Sequence, residues 1–230
     1  WDIDFSLPSS QIIGIIGPNG SGKTTLLKSI IGLVETASGY VKIFDKSLEE
    51  CRDKIAYVPQ RESVDWDFPA NVYDVVMMGR YKKNNLFKRA TKADKEIVMD
   101  SIEKVGLSEF RNRQISQLSG GQQQRVFIAR ALAQKADIYL MDEPFVGVDS
   151  ATENSILNLL QEMRTQGKTV LIIHHDLQTV SDYFDHLVLL NNRLIAVGTP
   201  QEVLTKENLS NAYGGQLTLL SKVVQLIKEK

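Results

Sequence analysis

Residues Gly17-Pro18-Asn19-Gly20-Ser21-Gly22-Lys23-Thr24 set three glycines before an amine and a hydroxyl. Glycines let successive backbone N–H groups curl around an anion without Cβ clashes. The amine of Lys23 has the reach to hold β- and γ-phosphates, and the hydroxyl of Thr24 is a Mg²⁺ ligand by type. The flanks fit this chemistry. The apolar run from Ile12 to Ile16 leads in as a buried strand, and Thr25-Leu26-Leu27-Lys28-Ser29-Ile30-Ile31 leads out as a helix that stops at Gly32. A helix N-terminus there adds partial positive charge. A plain glycine-rich turn would need neither the lysine nor the hydroxyl at those places.

Two further clusters carry chemistry. The apolar strand Ile138-Tyr139-Leu140-Met141 ends in Asp142-Glu143. Acids at the carboxyl end of a buried strand sit where open α/β sheets bind ligands. Asp142 is placed to hold Mg²⁺, directly or through water, and Glu143 to polarise an attacking water. Paired acids are also common on surfaces; the loop at Gly17–Thr24 favours the site. Leu118-Ser119-Gly120-Gly121-Gln122 precedes a strong helix former, Gln123 to Ala133. Two readings are open on physical grounds: a second anion site at a helix N-terminus, or a serine N-cap whose glycines ease a tight turn.

Alternation predicts a strand over Asp2–Leu7, so that the natural protein is expected to carry earlier residues. Strands are also predicted at Gly39–Phe44, followed by a polar turn at Asp45–Ser47, and at Ile55–Val58, ended by Pro59-Gln60. From about Asn71 to Ala133 the patterns turn helical. Thr91 with Asp94 caps a helix striped by Ile97, Val98, Ile102 and Val105 and closed by Gly106. Lys82 to Lys95 reads as a charged, solvated loop and helix start. Ser150 and Glu153 form a capping box for a helix ending at Gly167, and Thr169–Ile173 is the next buried strand. Leu187–Leu190 and Leu194–Val197 flank an Asn-Asn-Arg turn as a hairpin, and Thr199, Pro200 and Glu202 open another helix. Leu217 to Ile227 carries an apolar helical stripe. The class is α/β, with helices interrupting the strand pattern.

Composition bounds the rest. The chain has 230 residues, 43% hydrophobic and 24% charged, as expected of a soluble globular protein. No apolar run is long enough to cross a bilayer. A net charge of −1 gives no bulk electrostatic case for nucleic acid. Cys51 is the sole cysteine and reads as a small apolar residue. His174, His175 and His186 do not make metal-ligand spacing.

Taken together the motifs resemble those of the ATP-binding-cassette (ABC) ATPases over essentially the whole chain. Gly17–Thr24 matches the Walker A loop, Leu118–Gln122 the signature, and Ile138–Glu143 the Walker B strand with its glutamate. Gln60 falls at the Q-loop, Asp149 at the D-loop and His175, followed by Asp176, at the switch histidine. The resemblance implies a single ABC ATPase domain over 1–230. Its RecA-like P-loop NTPase core would carry a helical subdomain, about 66–133, between the Q-loop and Walker B. It implies that two copies face head to tail around two ATP molecules. One copy would contribute Gly17, Pro18, Asn19, Gly20, Ser21, Gly22, Lys23, Thr24 and Thr25. The other would contribute Ser119, Gly120, Gly121 and Gln122, with Asp149 beside the nucleotide. Thr24, Gln60 and Asp142 would serve Mg²⁺, Glu143 would be the general base, and His175 would contact the γ-phosphate; His174 reads as packing. Val146-Gly147-Val148 departs from the small-residue, leucine sequence usual before the D-loop aspartate. No aromatic is evident for stacking adenine; Trp1 and Phe5 read as strand and core, which places the stacking residue upstream.

The stretches Gln60–Pro69 and Asp74–Tyr81, with His174-His175-Asp176-Leu177, are similar to ATPase subunits of bacterial manganese, zinc or iron importers. That resemblance implies a peripheral protein on the cytoplasmic face of the membrane, bound to a permease whose short helix enters a groove, and served indirectly by a substrate-binding protein. Trp66 and Phe68 suit either the groove floor or packing of the helical region; Val72 and Val75 suit core. A competing class is a soluble ABC ATPase acting on nucleic acid or ribosomes. The stretch from Gln60 to Leu118 is too short for the long coiled coil of DNA-repair relatives, and the chain has one cassette rather than two. A nucleotide-binding module without turnover is disfavoured by the presence of Gln60, Glu143 and His175.

Overall fold

The computed structural model describes residues 3–81 and 89–214. The elements run β1 (Ile12–Ile16), α1 (Lys23–Ile30), β2 (Lys42–Ile43), β3 (Lys46–Ser47), α2 (Leu48–Cys51), β4 (Ile55–Val58), α3 (Val72–Met78), α4 (Lys92–Lys104) and α5 (Gly120–Ala133). They continue with β5 (Ile138–Asp142), α6 (Ser150–Thr165), β6 (Thr169–Ile173), α7 (Val180–Tyr183), β7 (His186–Leu190), β8 (Leu194–Gly198), α8 (Pro200–Val203) and α9 (Lys206–Tyr213). The chain divides into two compact units, one from residues 1–50 and 163–230, the other Cys51–Glu162.

The first unit is organised around β1. It pairs in parallel with β6 on one side (Ile12 with Val170) and β7 on the other (Ile13 with His186), and β8 closes antiparallel on β7. All five residues of β1 and of β6 are buried, which explains why both read as unbroken apolar runs rather than alternations. Gly14 is in this core because a Cβ there would stand 2.8 Å from Leu187 Cδ2 and 2.9 Å from Phe184 Cγ. The hairpin turns at Asn191–Arg193, with Asn192 in the left-handed region.

The second unit pairs β4 with β5 in parallel and packs α3, α4 and α5 together. Val72, Val75, Val98, Ile102, Val126 and Ile128 are buried at its centre. Arg80, just beyond α3, ties two helices: its Nε donates to Asp94 Oδ1 at 2.9 Å and its Nη1 to the Ala133 carbonyl at 2.6 Å. Gly79 has no Cβ because one would collide with the Arg130 carbonyl oxygen of α5. Thr91 and Asp94 form the expected capping box of α4, and Asn71 and Asp74 form another at α3.

Several expectations are corrected. Residues 3–8 form no strand among the described residues; their alternation has no ladder partner to pair with there. Gly39–Phe44 yields only the two-residue β2, because Gly39 has a φ of 95° and Tyr40 is 84% exposed. The turn is Phe44–Asp45, both with positive φ, so Lys46 and Ser47 lie in β3 rather than in the turn. Asp149, not Ser150, caps α6: its carboxylate accepts from the Thr152 amide at 2.8 Å and the Thr152 hydroxyl at 3.1 Å. An ionised acceptor outcompetes the serine one position later. Trp1, the 82–88 part of the charged loop and the stripe at Leu217–Ile227 lie outside the described residues.

Filling Gly14 tests how tightly β1 is packed. Gly14→Ala is expected to lower stability by roughly 1–3 kcal/mol, the usual cost of overpacking a dense core. A shift in urea midpoint at unchanged slope is the measurement; no shift would mean the neighbours yield freely.

Candidate functional site

The first unit supplies a loop shaped for an anion. Gly17 has a φ of 152°, and a Cβ there would run into the Leu190 carbonyl oxygen of β7. Gly20 and Gly22 have φ values of 79° and 94° with open space around them, so their need for glycine is conformational. The loop is tied to the hairpin by the Asn192 amide, which donates to the Ser21 carbonyl at 3.0 Å. Lys23 is buried, and its Nζ donates to the Gly17 and Pro18 carbonyls, both at 2.9 Å. Helices α3, α4, α5 and α9 begin at a side-chain cap; α1 begins at Gly22 with none. The Ser21 hydroxyl is buried without a hydrogen-bond partner among the described residues. An uncapped helix start, a buried cation and an unsatisfied hydroxyl in one loop fit a phosphate group. Pro18 and Thr24 are half-buried, while Asn19, Gly20 and Thr25 are exposed.

His175 lies in the same unit, exposed, two residues beyond β6. Its neighbour His174 is 4% exposed and anchored at both ends. The His174 amide donates to the Ile15 carbonyl of β1 at 3.0 Å, and its Nε2 pairs with Thr179 Oγ1 at 2.8 Å. Tyr183 and Phe184 surround the ring. Burial, then the charge of His175, lower the His174 pKa from 6.5 to about 4. The packing role expected for His174 therefore includes a hydrogen bond as well.

The second unit holds the acids. Asp142, at the end of β5, is buried. Burial and then the Asp142 charge push the Tyr57 phenol up to about 12. Glu143 follows with a φ of 51°, a conformation unfavourable for a residue with a side chain and found where function holds the backbone. Its Oε2 accepts from Gln60 Nε2 at 3.0 Å. Two residues far apart in sequence are thus in direct contact.

The signature stretch begins α5. Ser119 is the N-cap: its hydroxyl accepts from the Gln122 amide at 3.3 Å, and Gln122 Oε1 accepts from the Ser119 amide at 2.9 Å. The capped-turn reading is therefore realised in this structure, and the glycines remain accessible beside it. Gly121 lies where a Cβ would be 3.6 Å from Val148 of the segment after Glu143. The exposed Asp149 is held below the usual carboxylate range by the Thr152 amide and then its hydroxyl. Arg61, half-buried between Gln60 and α5, donates from Nε to Gln123 Oε1 at 3.0 Å. Arg61 lies in the Gln60–Pro69 stretch that carries the resemblance, which gave it no role of its own.

Trp66 packs edge-on against Phe127, ring centres 5.2 Å apart, and its indole donates to the Arg61 carbonyl at 2.9 Å. Phe68 is 51% exposed, and Val72 and Val75 are core. Among the described residues no group of three or more His, Cys, Asp or Glu could hold a metal by itself, and no helix is long and apolar enough to cross a membrane.

The ABC transporter family matches residues 1–146. The chain is 57% identical over 223 residues to the manganese transport system ATP-binding protein MntB of Bacillus subtilis, covering 97% of this chain and 89% of that one. It is 53% identical over 218 residues to the zinc transport system ATP-binding protein TroB of Treponema pallidum, covering 95% and 82%. Among solved structures it is similar to a metal-chelate type ABC transporter in an inward-facing conformation, with a TM-score of 0.79, 30% identity and 91% and 81% coverage. It is also similar to a nucleotide-free ATP-binding cassette of an ABC transporter, with a TM-score of 0.76, 28% identity and 98% and 90% coverage. The chain belongs to the ABC transporter family. It has the ABC ATPase fold and is an ATP-binding, ATP-hydrolysing member.

The buried imidazole makes stability depend on pH. Unfolded, His174 binds a proton below about 6.5; folded, only near 4. Its contribution is therefore complete above 6.5 and lost as pH falls towards 4, on the order of 2–3 kcal/mol in all. Urea midpoints at pH 7.5 and 5 should differ in the natural chain and differ less in His174→Gln.

Proposed function

We propose that this chain is the ATP-hydrolysing subunit of a bacterial metal-ion importer. It sits on the cytoplasmic face of the membrane against a permease and is served indirectly by a substrate-binding protein. The names of its relatives support manganese or zinc as the class of cargo, with iron the third candidate. The carrying observation for hydrolysis is the Gln60–Glu143 bond beside the buried Asp142, with Glu143 held at positive φ.

In this reading 1–230 acts as one ABC ATPase domain whose helical part, about 66–133, faces the permease. Two copies close head to tail. The backbone of Gly17–Gly22 and the Lys23 ammonium hold the β- and γ-phosphates, Thr25 stands beside them, and His175 reaches the γ-phosphate. Ser119–Gln122 of the opposing copy closes the pocket from the other side, with Asp149 at the joint. Glu143 accepts a proton from water as its oxygen attacks the γ-phosphorus. The bond to the bridging oxygen breaks, leaving ADP and phosphate. Gln60 orients that water once its bond to Glu143 opens.

Mg²⁺ would be held by Thr24, Gln60 and Asp142. The donor set fits, because Mg²⁺ takes hard oxygen ligands, one or two carboxylates with phosphate and water rather than a protein cage, and this set offers one buried carboxylate, a hydroxyl and an amide oxygen. When bound it neutralises charge on the β/γ oxygens. Phe68, exposed beside the partly covered Trp66, supports a docking face for a permease helix.

Reconstitution with the permease in vesicles tests the whole reading. ATP-driven uptake of manganese, zinc or iron is expected. Glu143→Gln should lose roughly 10²–10⁴-fold of turnover while still binding ATP. Near-normal turnover in that variant removes Glu143 from its role, and turnover with no uptake of any of the three ions removes the metal reading.

A further inference from the structure

Within the second unit a closed chain of contacts runs through the acid and the signature. Gln60 bonds Glu143, and Glu143 leads through its own loop to Val148. Val148 lies against Gly121, and Gly120 lies under the guanidinium of Arg61, which is the residue after Gln60. A Cβ at Gly120 would be 3.2 Å from both Arg61 Cζ and Nε, tighter than ordinary van der Waals contact. The guanidinium is fixed by its Nε bond to Gln123, and Gln123 is itself buried and anchored by Nε2 donating to the Ile115 carbonyl at 3.1 Å. The main chain of Arg61 is fixed separately by the Trp66 indole. The clamped guanidinium therefore occupies the space that a side chain at Gly120, the first residue of α5, would need.

We propose that Arg61 is a positioning residue that couples the Gln60–Glu143 pair to the placement of Ser119–Gln122. When Gln60 moves to release Glu143, the adjoining Arg61 carries that displacement to Gly120, so the acid and the signature change state together. Arginine suits the task better than lysine. Its planar fork is held in one orientation by a bonded nitrogen, whereas an ammonium is a point charge on a flexible stem. This inference rests on the proposed function, since it assigns Arg61 a part in the same hydrolysis.

The test uses the full chain with its permease and measures ATP turnover and the binding of a fluorescent ATP analogue side by side. Arg61→Met, which keeps length without the fork, is expected to lower kcat roughly 10–100-fold while the analogue's Kd stays within about twofold of the natural chain. Arg61→Lys should not recover full turnover. Parallel loss of binding in Arg61→Met, unchanged turnover in it, or full recovery by lysine would each overturn the proposal. Should Arg61→Met fail to fold, Gly120→Ala asks the same question from the opposite side. Lowered turnover at an unchanged Kd for the analogue supports the contact, and unchanged turnover or a parallel loss of binding overturns it. A natural chain that hydrolyses no ATP, or a Glu143→Gln variant that hydrolyses it normally, would instead unseat the proposed function.

Discussion

A cation buried in a loop must be satisfied, and much of the first unit is arranged around the ammonium of Lys23. Two loop carbonyls, Gly17 and Pro18, accept from it. The backbone can present them only because Gly17 adopts a φ of 152° against the Leu190 carbonyl, a place where no side chain fits. That geometry in turn requires β7 beside β1, and β1 is fixed by the parallel pairing on both its edges. A phosphate arriving in the loop offers Lys23 stronger, charged acceptors than two neutral carbonyls. The interactions that hold the loop together are thus ones that an anion can replace.

The second unit is governed by a similar logic. Glu143 occupies a backbone conformation that costs on the order of 1–3 kcal/mol for a residue with a side chain. The buried strand β5 before it and the bond to Gln60 compensate. A glycine at that position would relieve the strain and remove the carboxylate, so the strain is retained with the acid. Elsewhere in the unit glycines let elements come close, Gly79 against the Arg130 carbonyl and Gly120 against Arg61. Close approach of elements, rather than large apolar area, sets the detail of this unit.

The elements with strong local signals were legible in the chain. The strands β1, β4, β5 and β6 were visible as apolar runs, and α4 as a capped, striped helix, because burial on both faces or one stripe writes itself directly into residue order. The glycine-rich loop at Gly17–Thr24 was legible for the same reason: its conformational requirements are local to eight residues. What escaped were features that depend on partners distant in sequence. The alternation at 3–8 has the pattern of a strand but no ladder, the β2–β3 hairpin is shorter than its apolar letters suggest, and the cap of α6 moved one residue to Asp149. Gln60 was placed by family likeness, but its bond to Glu143 and the contact of Arg61 with α5 required coordinates, since nothing in their spacing marks them as neighbours.

Asp149 illustrates how one side chain can hold two offices. Its carboxylate secures the first turn of a sixteen-residue helix, and in the proposed reading it also stands where two copies of the chain meet. Inactivating alleles at this codon therefore fall into two kinds. Asparagine retains an oxygen for the Thr152 amide and reports on charge at the proposed joint between copies, whereas alanine also frays the start of α6 and mixes folding with function. A genetic screen that recovers both, and scores protein abundance alongside growth, separates the scaffold's requirement from the motor's.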